Sequence, residues 1–419
     1  MIKNLNKKRM FLNNVIKVSI MILVIVCLTS CGVLRKIPND QHSSGGSSSA
    51  IKASKNVNVC ILFFNDIHGY LQPFTISLFG HDAEVGGIAR MATLIDDIRT
   101  HNAQQGITTF VFLAGDILQG TPMSTVFKGV PDIECFNEIG VSVMTVGNHE
   151  FDFGIENFMR LRKLANFPIL SCNIKNDQTG ELLCDPSVKL PINDEISLVV
   201  IGVTTKELLT TTRPSNVEGI SVDDPVDAVL TAYRLNKERF PTIVLSHCKA
   251  STDESIAQSI PSLTAIVGGH DQILFNPKKQ IGSVPIFQAF EKGRYLGRLD
   301  LEINVSTHNV TIADWRYYPI TADLTDSETV TGIVNMYHSQ LDDVFKEVIG
   351  YCGITLHGER DVIRYEETNL GNLVTDIMRD YTGADIALLN AGSLRASISQ
   401  GPVTVENVFQ AMPYANELV

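Results

Sequence analysis

The sequence predicts a two-part α/β protein, and three observations predict it. Short β-branched runs alternate with amphipathic stretches from residue 57 onward, as strand–helix units do. The unusual polar residues stand just past the ends of those runs. A second, smaller α/β pattern begins near Ile349, after a polar helical stretch.

Taken in order, the chain opens on a basic start of Lys3, Lys7, Lys8 and Arg9, then an apolar run from Val15 to Leu28 interrupted by Lys17 and Ser19. The run is shorter than the ~20 residues a membrane span needs. It closes in Leu28-Thr29-Ser30-Cys31-Gly32, which resembles the bacterial lipobox, with Cys31 as the lipidated residue. A plain transmembrane anchor is the alternative. Gly32 after the cysteine fits onward export to an outer membrane if the cell has one. Residues 1–31 are thus expected to be a lipoprotein signal. Residues 32–56, which include the Gly/Ser-rich Gln41–Ala50, are expected to be a flexible tether. An anchor, a tether and then a folded body fit a protein held at the cell envelope through a lipid anchor.

The expected strands are Val57–Phe64, Thr108–Ala114, Val141–Val146, Ile196–Val203, Thr242–Ser246 and Leu263–Val267, each short and closed by polar or glycine residues. Gly87–Asn102 and Asp224–Arg239 have helical periodicity. Pro285–Gln288, Tyr295–Asn304 and Asn309–Tyr317 lie close together and read as an antiparallel meander. The expected boundaries are 57–322 for a first α/β domain, 323–348 for a helical linker and 349–419 for a second α/β domain. Beyond Cys27 and Cys31, six cysteines (Cys60, Cys135, Cys172, Cys184, Cys248 and Cys352) show no metal-like spacing. Cys172 and Cys184 could bridge a hairpin, or all six could be buried thiols.

A net charge of −12 without a basic stripe argues against a nucleic-acid polymer as partner. Any phosphate site must supply its own local positive charge, from metals or arginines. Candidate residues for such a site follow the strands directly. Asn65-Asp66-Ile67-His68-Gly69 follows the first, Gly115-Asp116 the second, and Gly147-Asn148-His149-Glu150 the third. Ser246-His247 and Gly268-Gly269-His270-Asp271-Gln272 follow the fifth and sixth. Residues just past the carboxyl ends of strands in an α/β sheet converge on one crevice. One aspartate there reads as a helix cap and one histidine as a structural residue. Carboxylate, imidazole and amide groups at five successive strand ends suit a pair of divalent ions.

NDIHG, GD, GNHE, SH and GGH in this order resemble the calcineurin-like metallophosphoesterases. GGIARMATLI, LAGDILQGTP, GNHEFDFG and TNLGNLVTD narrow the likeness to the 5′-nucleotidase, UDP-sugar hydrolase and cyclic-nucleotide phosphodiesterase family. The resemblance runs from about Val57 to the last residue. It implies a four-layer α/β/β/α metallophosphoesterase domain followed by a partial α/β 5′-nucleotidase C-terminal domain. It implies that Asp66, His68 and Gln272 hold one divalent ion, that Asn148, His247 and His270 hold another, and that Asp116 bridges them. The family uses zinc, manganese, cobalt or similar ions. His149 resembles the histidine that stabilises the transition state or protonates the leaving oxygen, and Asp152 resembles its orienting carboxylate.

In the second domain the resemblance assigns Arg360, Arg364 and Arg395 to substrate phosphates, a role that forked, permanently charged guanidinium groups suit. Asn390 belongs to the same NAGSLR segment, and Tyr414 falls where the family stacks an aromatic on the base. The family has a glycine-rich turn where this chain reads NAGSLR, so Ala391 and Ser393 are expected to crowd a close approach or occupy positive φ. The sequence stops a few residues past Tyr414, where the family continues. The second domain is therefore expected to be incomplete, to be poorly ordered or expose an apolar strand edge, or to be completed by a second polypeptide. The expected activity is metal-dependent hydrolysis of extracellular nucleotides. The alternatives are a phosphomonoesterase with little base preference and a surface lipoprotein with impaired catalysis.

Overall fold

The structure is a computed structural model, and it describes residues 56–78 and 81–413. Two six-stranded sheets pack against each other. Across the first, the strands are Val310–Pro319, Tyr295–Asn304, Asn56–Phe64, Thr108–Leu113, Val143–Thr145 and Ile169–Leu170. Across the second they are Lys279–Ile281, Val284–Gln288, Ala265–Gly268, Thr242–His247, Ser197–Thr204 and Ser187–Pro191. The first is parallel from Asn56–Phe64 to Ile169–Leu170 and antiparallel toward its other edge, and the second is parallel in the middle with an antiparallel strand at each edge.

The alternation along each strand decides the layers. In the first strand Val59, Ile61 and Phe63 point between the sheets, whereas Cys60, Leu62 and Phe64 face a helical layer that includes Ile88–Gln104 and Val130–Ile139. Ser197–Thr204 does the same in the second sheet. Leu198 and Val200 face the first sheet, while Val199, Ile201 and Val203 pack with the helices Pro225–Arg234 and Ala250–Ser259. Strands buried on both faces read as continuous apolar runs, which is how they stand in the sequence. The result is a mixed α/β fold in four layers.

Most expected elements are present within a residue or two. Two differ for physical reasons. Val284–Gln288 does not join the meander. It lies parallel to Ala265–Gly268 in the second sheet, with all five residues buried. The helix expected to reach Arg239 ends at Arg234, because the chain must turn through Arg239, at φ 54°, into the strand that starts at Thr242.

The helix Glu328–Phe345 leads to the smaller C-terminal part. There Val348–Cys352 pairs antiparallel with Gly401–Thr404, over a small core of Leu356, Ile363, Leu370, Leu394, Ile398, Val403 and Ala411. Thr368 caps the helix Asn369–Thr382 by accepting from the Gly371 amide, and Gly383 ends it at φ 70°. Apolar surface is exposed in this part, at Val348 and Ile349 on the strand, at Ile354, Ile386 and Leu388 outside the helices, and on one face of the helix Asn369–Thr382. Leu373, Ile377 and Tyr381 recur at intervals of four there, and Tyr351 is exposed on the strand.

The possible Cys172–Cys184 bridge is absent, since both are buried free thiols, as are Cys60, Cys135 and Cys248; Cys352 is a partly buried free thiol. Neither Ala391 nor Ser393 takes positive φ. The segment Ala391–Ser393 is a single 3-10 turn with ordinary backbone, which a Cβ tolerates. Among the described residues no helix is long and apolar enough to cross a membrane. Cys31, its preceding signal, the tether as far as residue 55, and Tyr414 lie outside the described residues.

Candidate metal centre

The carboxyl ends of the central strands bring side chains from both sheets to one place. Asp66, His68, Asp116 and Asn148 come from the first sheet, and His247, His270 and Gln272 from the second. The loops are tied together by their backbones. The Asp66 amide donates to Gly115 O at 3.0 Å, and the His68 amide to Asp116 O at 3.1 Å. Asp66 Oδ2 accepts from the His270 amide at 2.9 Å, which links the two sheets across the crevice.

Backbone conformation at the site is costly. Asp66, His68, Asp116, His270 and Gln272 all stand at φ between 50° and 74°. Left-handed backbone costs an L-residue roughly 1–2 kcal/mol, so the fold holds these turns against their local preference. Close approach adds a second constraint. A Cβ on Gly147 would lie 2.3 Å from Asp116 Oδ1, and one on Gly269 would lie 2.5 Å from Ala114 O.

Two sets of donors could each hold an ion, His68 with Asp116 and His149, and Asp116 with His247 and His270. Within each set the candidate atoms lie within 4.8 Å of one another. Asp116 belongs to both. Asp66, His68, Asp116, Asn148 and His247 are at most 3% exposed. Two of their polar atoms, Asp66 Oδ1 and Asn148 Oδ1, are buried without a hydrogen-bond partner. Such orphans are rare in folded proteins and call for an ion or ligand. Oxygen and imidazole donors of this kind suit a borderline divalent cation, so the residues fit metal ions.

The electrostatics point the same way. Burial alone pushes the Asp116 carboxyl up, but His247 and His149 outweigh it and hold the group well below the usual carboxylate range. Burial alone lowers His247, yet Asp116, with Nε2 and Oδ2 3.0 Å apart, lifts it to about 10. The protein atoms thus demand positive charge here, and a proton on His247 stands in for a cation. His68 is lowered by burial and is therefore held neutral, as a ligand must be.

His149 is oriented from outside. Its Nδ1 lies 2.6 Å from Asp152 Oδ2, and its backbone amide donates to Asp116 Oδ1 at 2.9 Å. This leaves Nε2 facing the crevice. His149 and Asp152 line a cleft of about 460 Å³ with Asn390, Gly392 and Ser393 of the C-terminal part. Arg360 donates to Gln272 Oε1 and lies 3.9 Å from Glu291. Gln272 Nε2 is in turn 2.7 Å from His68 Nε2. Arg364 lies beside Gly392, while Arg395 is partly buried and its amide donates to Ala411 O. Asn390 Oδ1 accepts from the Gly392 amide at 3.0 Å.

Several supporting residues escaped the sequence reading. Glu150 accepts from the amides of Gly147 at 2.6 Å, Asp116 at 3.0 Å and Ile117 at 2.8 Å, so one carboxylate joins two ligand loops. Burial, with Asp116 adding to it, pushes this carboxyl up to about 7, while the Ile117 and Asp116 amides pull the other way. Asn65 donates to Asp66 Oδ2 at 2.7 Å and accepts from the Ala289 amide. Gln288 braces the last loop at Gly269 O and the Ile273 amide. Arg213 lines the cleft from the catalytic side. Asn65 and Glu150 carried a signal in the sequence, their places beside Asp66 and at the end of GNHE.

Residues 60–273 match the calcineurin-like phosphoesterases, and residues 348–419 match the 5′-nucleotidase C-terminal domain. The chain belongs to the calcineurin-like phosphoesterase family. It is therefore a hydrolase of phosphoester bonds. It is 28% identical to protein UshA of Escherichia coli strain K12 over 420 aligned residues, which cover 88% of this chain and 74% of that one. It is 28% identical to the 5′-nucleotidase of Bos taurus, covering 86% of this chain and 69% of that one. Among solved structures, a 5′-nucleotidase precursor from Thermus thermophilus superposes with a TM-score of 0.75 at 27% identity, over 86% of this chain and 74% of that one. The phosphoesterase match ends at residue 273, one past Gln272, so all seven candidate ligands fall inside it.

Proposed function

We propose that this calcineurin-like phosphoesterase hydrolyses nucleotides, as a 5′-nucleotidase or nucleotide phosphodiesterase, at a centre of two divalent ions. Asp66, His68 and Gln272 would hold one ion, Asn148, His247 and His270 the other, and Asp116 would serve both. Bound there, such ions polarise phosphoryl oxygens and generate a nucleophile from water near neutral pH.

The rest is the work of this chain's residues. Asp152 holds His149 by Nδ1, so that its Nε2–H can donate to the leaving oxygen or to charge developing on the phosphoryl group. The neutral amides of Asn148 and Gln272 limit negative charge among the ligands, which favours an anionic ester. Arg360, Arg364 and Arg395 would hold phosphate oxygens. Asn390 would contact the substrate in the cleft it shares with His149, and Tyr414 would stack on the base. Residues 57–322 would form the catalytic domain, 323–348 the linker and 349–419 the substrate-binding part. Cys31 would carry the lipid that holds the enzyme at the envelope.

The observation that carries this reading is the set of orphaned buried atoms around a shared Asp116. The test loads the full chain with manganese or zinc and compares AMP, a 2′,3′-cyclic nucleotide, UDP-glucose and p-nitrophenyl phosphate. Nucleotide turnover well above that of the generic ester is expected. Equal rates reject nucleotide specificity, and folded protein without turnover on any of the four rejects the assigned chemistry.

A further inference from the structure

Each imidazole facing Asp116 needs its second nitrogen held if the first is to face a cation, since the outer hydrogen bond fixes tautomer and ring orientation. For His247 the holder is backbone. Nδ1 lies 2.7 Å from Ala114 O, which leaves Nε2 toward Asp116. For His270 the holder is a side chain. Glu207 Oε2 lies 3.0 Å from His270 Nε2, which leaves Nδ1 as the free nitrogen. The His270 backbone is fixed independently through its amide on Asp66 Oδ2.

Glu207 is itself anchored at both ends. Its carbonyl accepts from the Thr210 and Thr211 amides at 2.9 and 2.8 Å, at the start of the turn Leu208–Thr211. Its other carboxylate oxygen pairs with Lys249 Nζ. Lys249 follows His247 by two residues, so the Glu207–Lys249 pair bridges the loops that carry the two histidines. Those rings meet edge to face with centroids 5.1 Å apart. Glu207 is 35% exposed at its side chain and His270 11%, so the contact sits at the rim, where solvent would otherwise compete for Nε2.

The geometry points to Glu207 as a positioning residue, which holds His270 by Nε2 so that Nδ1 serves the ion shared with Asp116 and His247. Lys249 keeps the carboxylate in place. This rests on the proposed metal centre, but it concerns the ion at His270 alone.

The test titrates Co²⁺ into the full chain, metal-free, with visible absorption and equilibrium dialysis as readouts and thermal melting of the metal-free protein as a folding check. Glu207→Ala should weaken one ion by about 10- to 100-fold and change its d–d spectrum, with the other ion untouched. Glu207→Gln should recover part of the loss, since its amide oxygen still accepts from Nε2–H. Lys249→Met should shift the same ion in the same direction by less. Glu207→Ala with wild-type affinities and spectrum overturns the inference. If that variant does not fold, Lys249→Met decides, and unchanged affinity and spectrum there overturn it. A wild type that binds a single ion refutes the two-ion centre. The role of Glu207 then stands if Glu207→Ala loses that ion, and falls if it does not.

Discussion

Replacing Glu150 removes the one acceptor shared by the amides of Gly147, Asp116 and Ile117. An unsatisfied buried donor costs ~1–3 kcal/mol, so Glu150→Ala should lose on the order of 3–9 kcal/mol. That is comparable with the whole stability of a typical domain, ~5–15 kcal/mol. Glu150→Gln separates shape from charge. With its oxygen at the Oε2 position it can still accept from Gly147 and Asp116, but its NH₂ then faces the Ile117 amide, donor against donor. The loss should fall to ~1–3 kcal/mol. Urea unfolding of the metal-free protein at pH 8, where this carboxyl is charged, measures both. Because the amides belong to the loops of Asp116 and Asn148, metal affinity should fall in the same order. An alanine variant within about 1 kcal/mol of wild type, with unaltered metal uptake, refutes the reasoning.

Three other outcomes are expected. His149→Ala should lose turnover by ~10²–10⁴-fold while still binding metal, as measured by dialysis. Loss of metal together with activity would make His149 a ligand, as its place in one donor set allows. Gly147→Ala should abolish metal uptake in folded protein, because its Cβ would lie 2.3 Å from Asp116 Oδ1; retained uptake would mean the loop can move aside. Asp132 is buried, and burial pushes it from 3.8 to about 7 against the opposing pull of the Ser124 hydroxyl, with Glu150 adding to the rise. Between those values the folded chain keeps a proton that the unfolded chain releases, so stability falls as pH rises through this window and levels off above it. The change is worth up to about 4 kcal/mol. Asp132→Asn should therefore melt higher than wild type at pH 8 and alike at pH 4, and identical pH slopes would reject the assignment.

Much of the fold was legible because each central strand is apolar on both faces and each ligand sits at a strand's end. Local pairs were legible too, since Asp152 is three residues from His149 and one helical turn joins them. What escaped was non-local. Val284–Gln288 is apolar on every side, so its sequence suits either sheet, and only packing chose the second. Glu150 gains its role from amides 33 and 34 residues away as well as from nearby Gly147. Glu207 gains its role from an imidazole 63 residues away. At Ala391 and Ser393 the family's glycine-rich turn suggested strain, but a 3-10 turn with negative φ met the need without it.

The left-handed backbone at five candidate ligands has a consequence for choosing substitutions. Asp, Asn and His are the non-glycine residues that adopt positive φ most readily. At Asp66 and Asp116, replacement by Asn suits the same backbone but removes the charge and turns one acceptor oxygen into a donor. Glu keeps the charge but fits that backbone less well and reaches further. Asn is therefore the substitution whose effect can be assigned to the carboxylate head group rather than to the backbone. Gln272, at φ 57°, has no such native preference. It is held by His68 and Arg360 instead, so its conformation depends on contacts from two other parts of the chain.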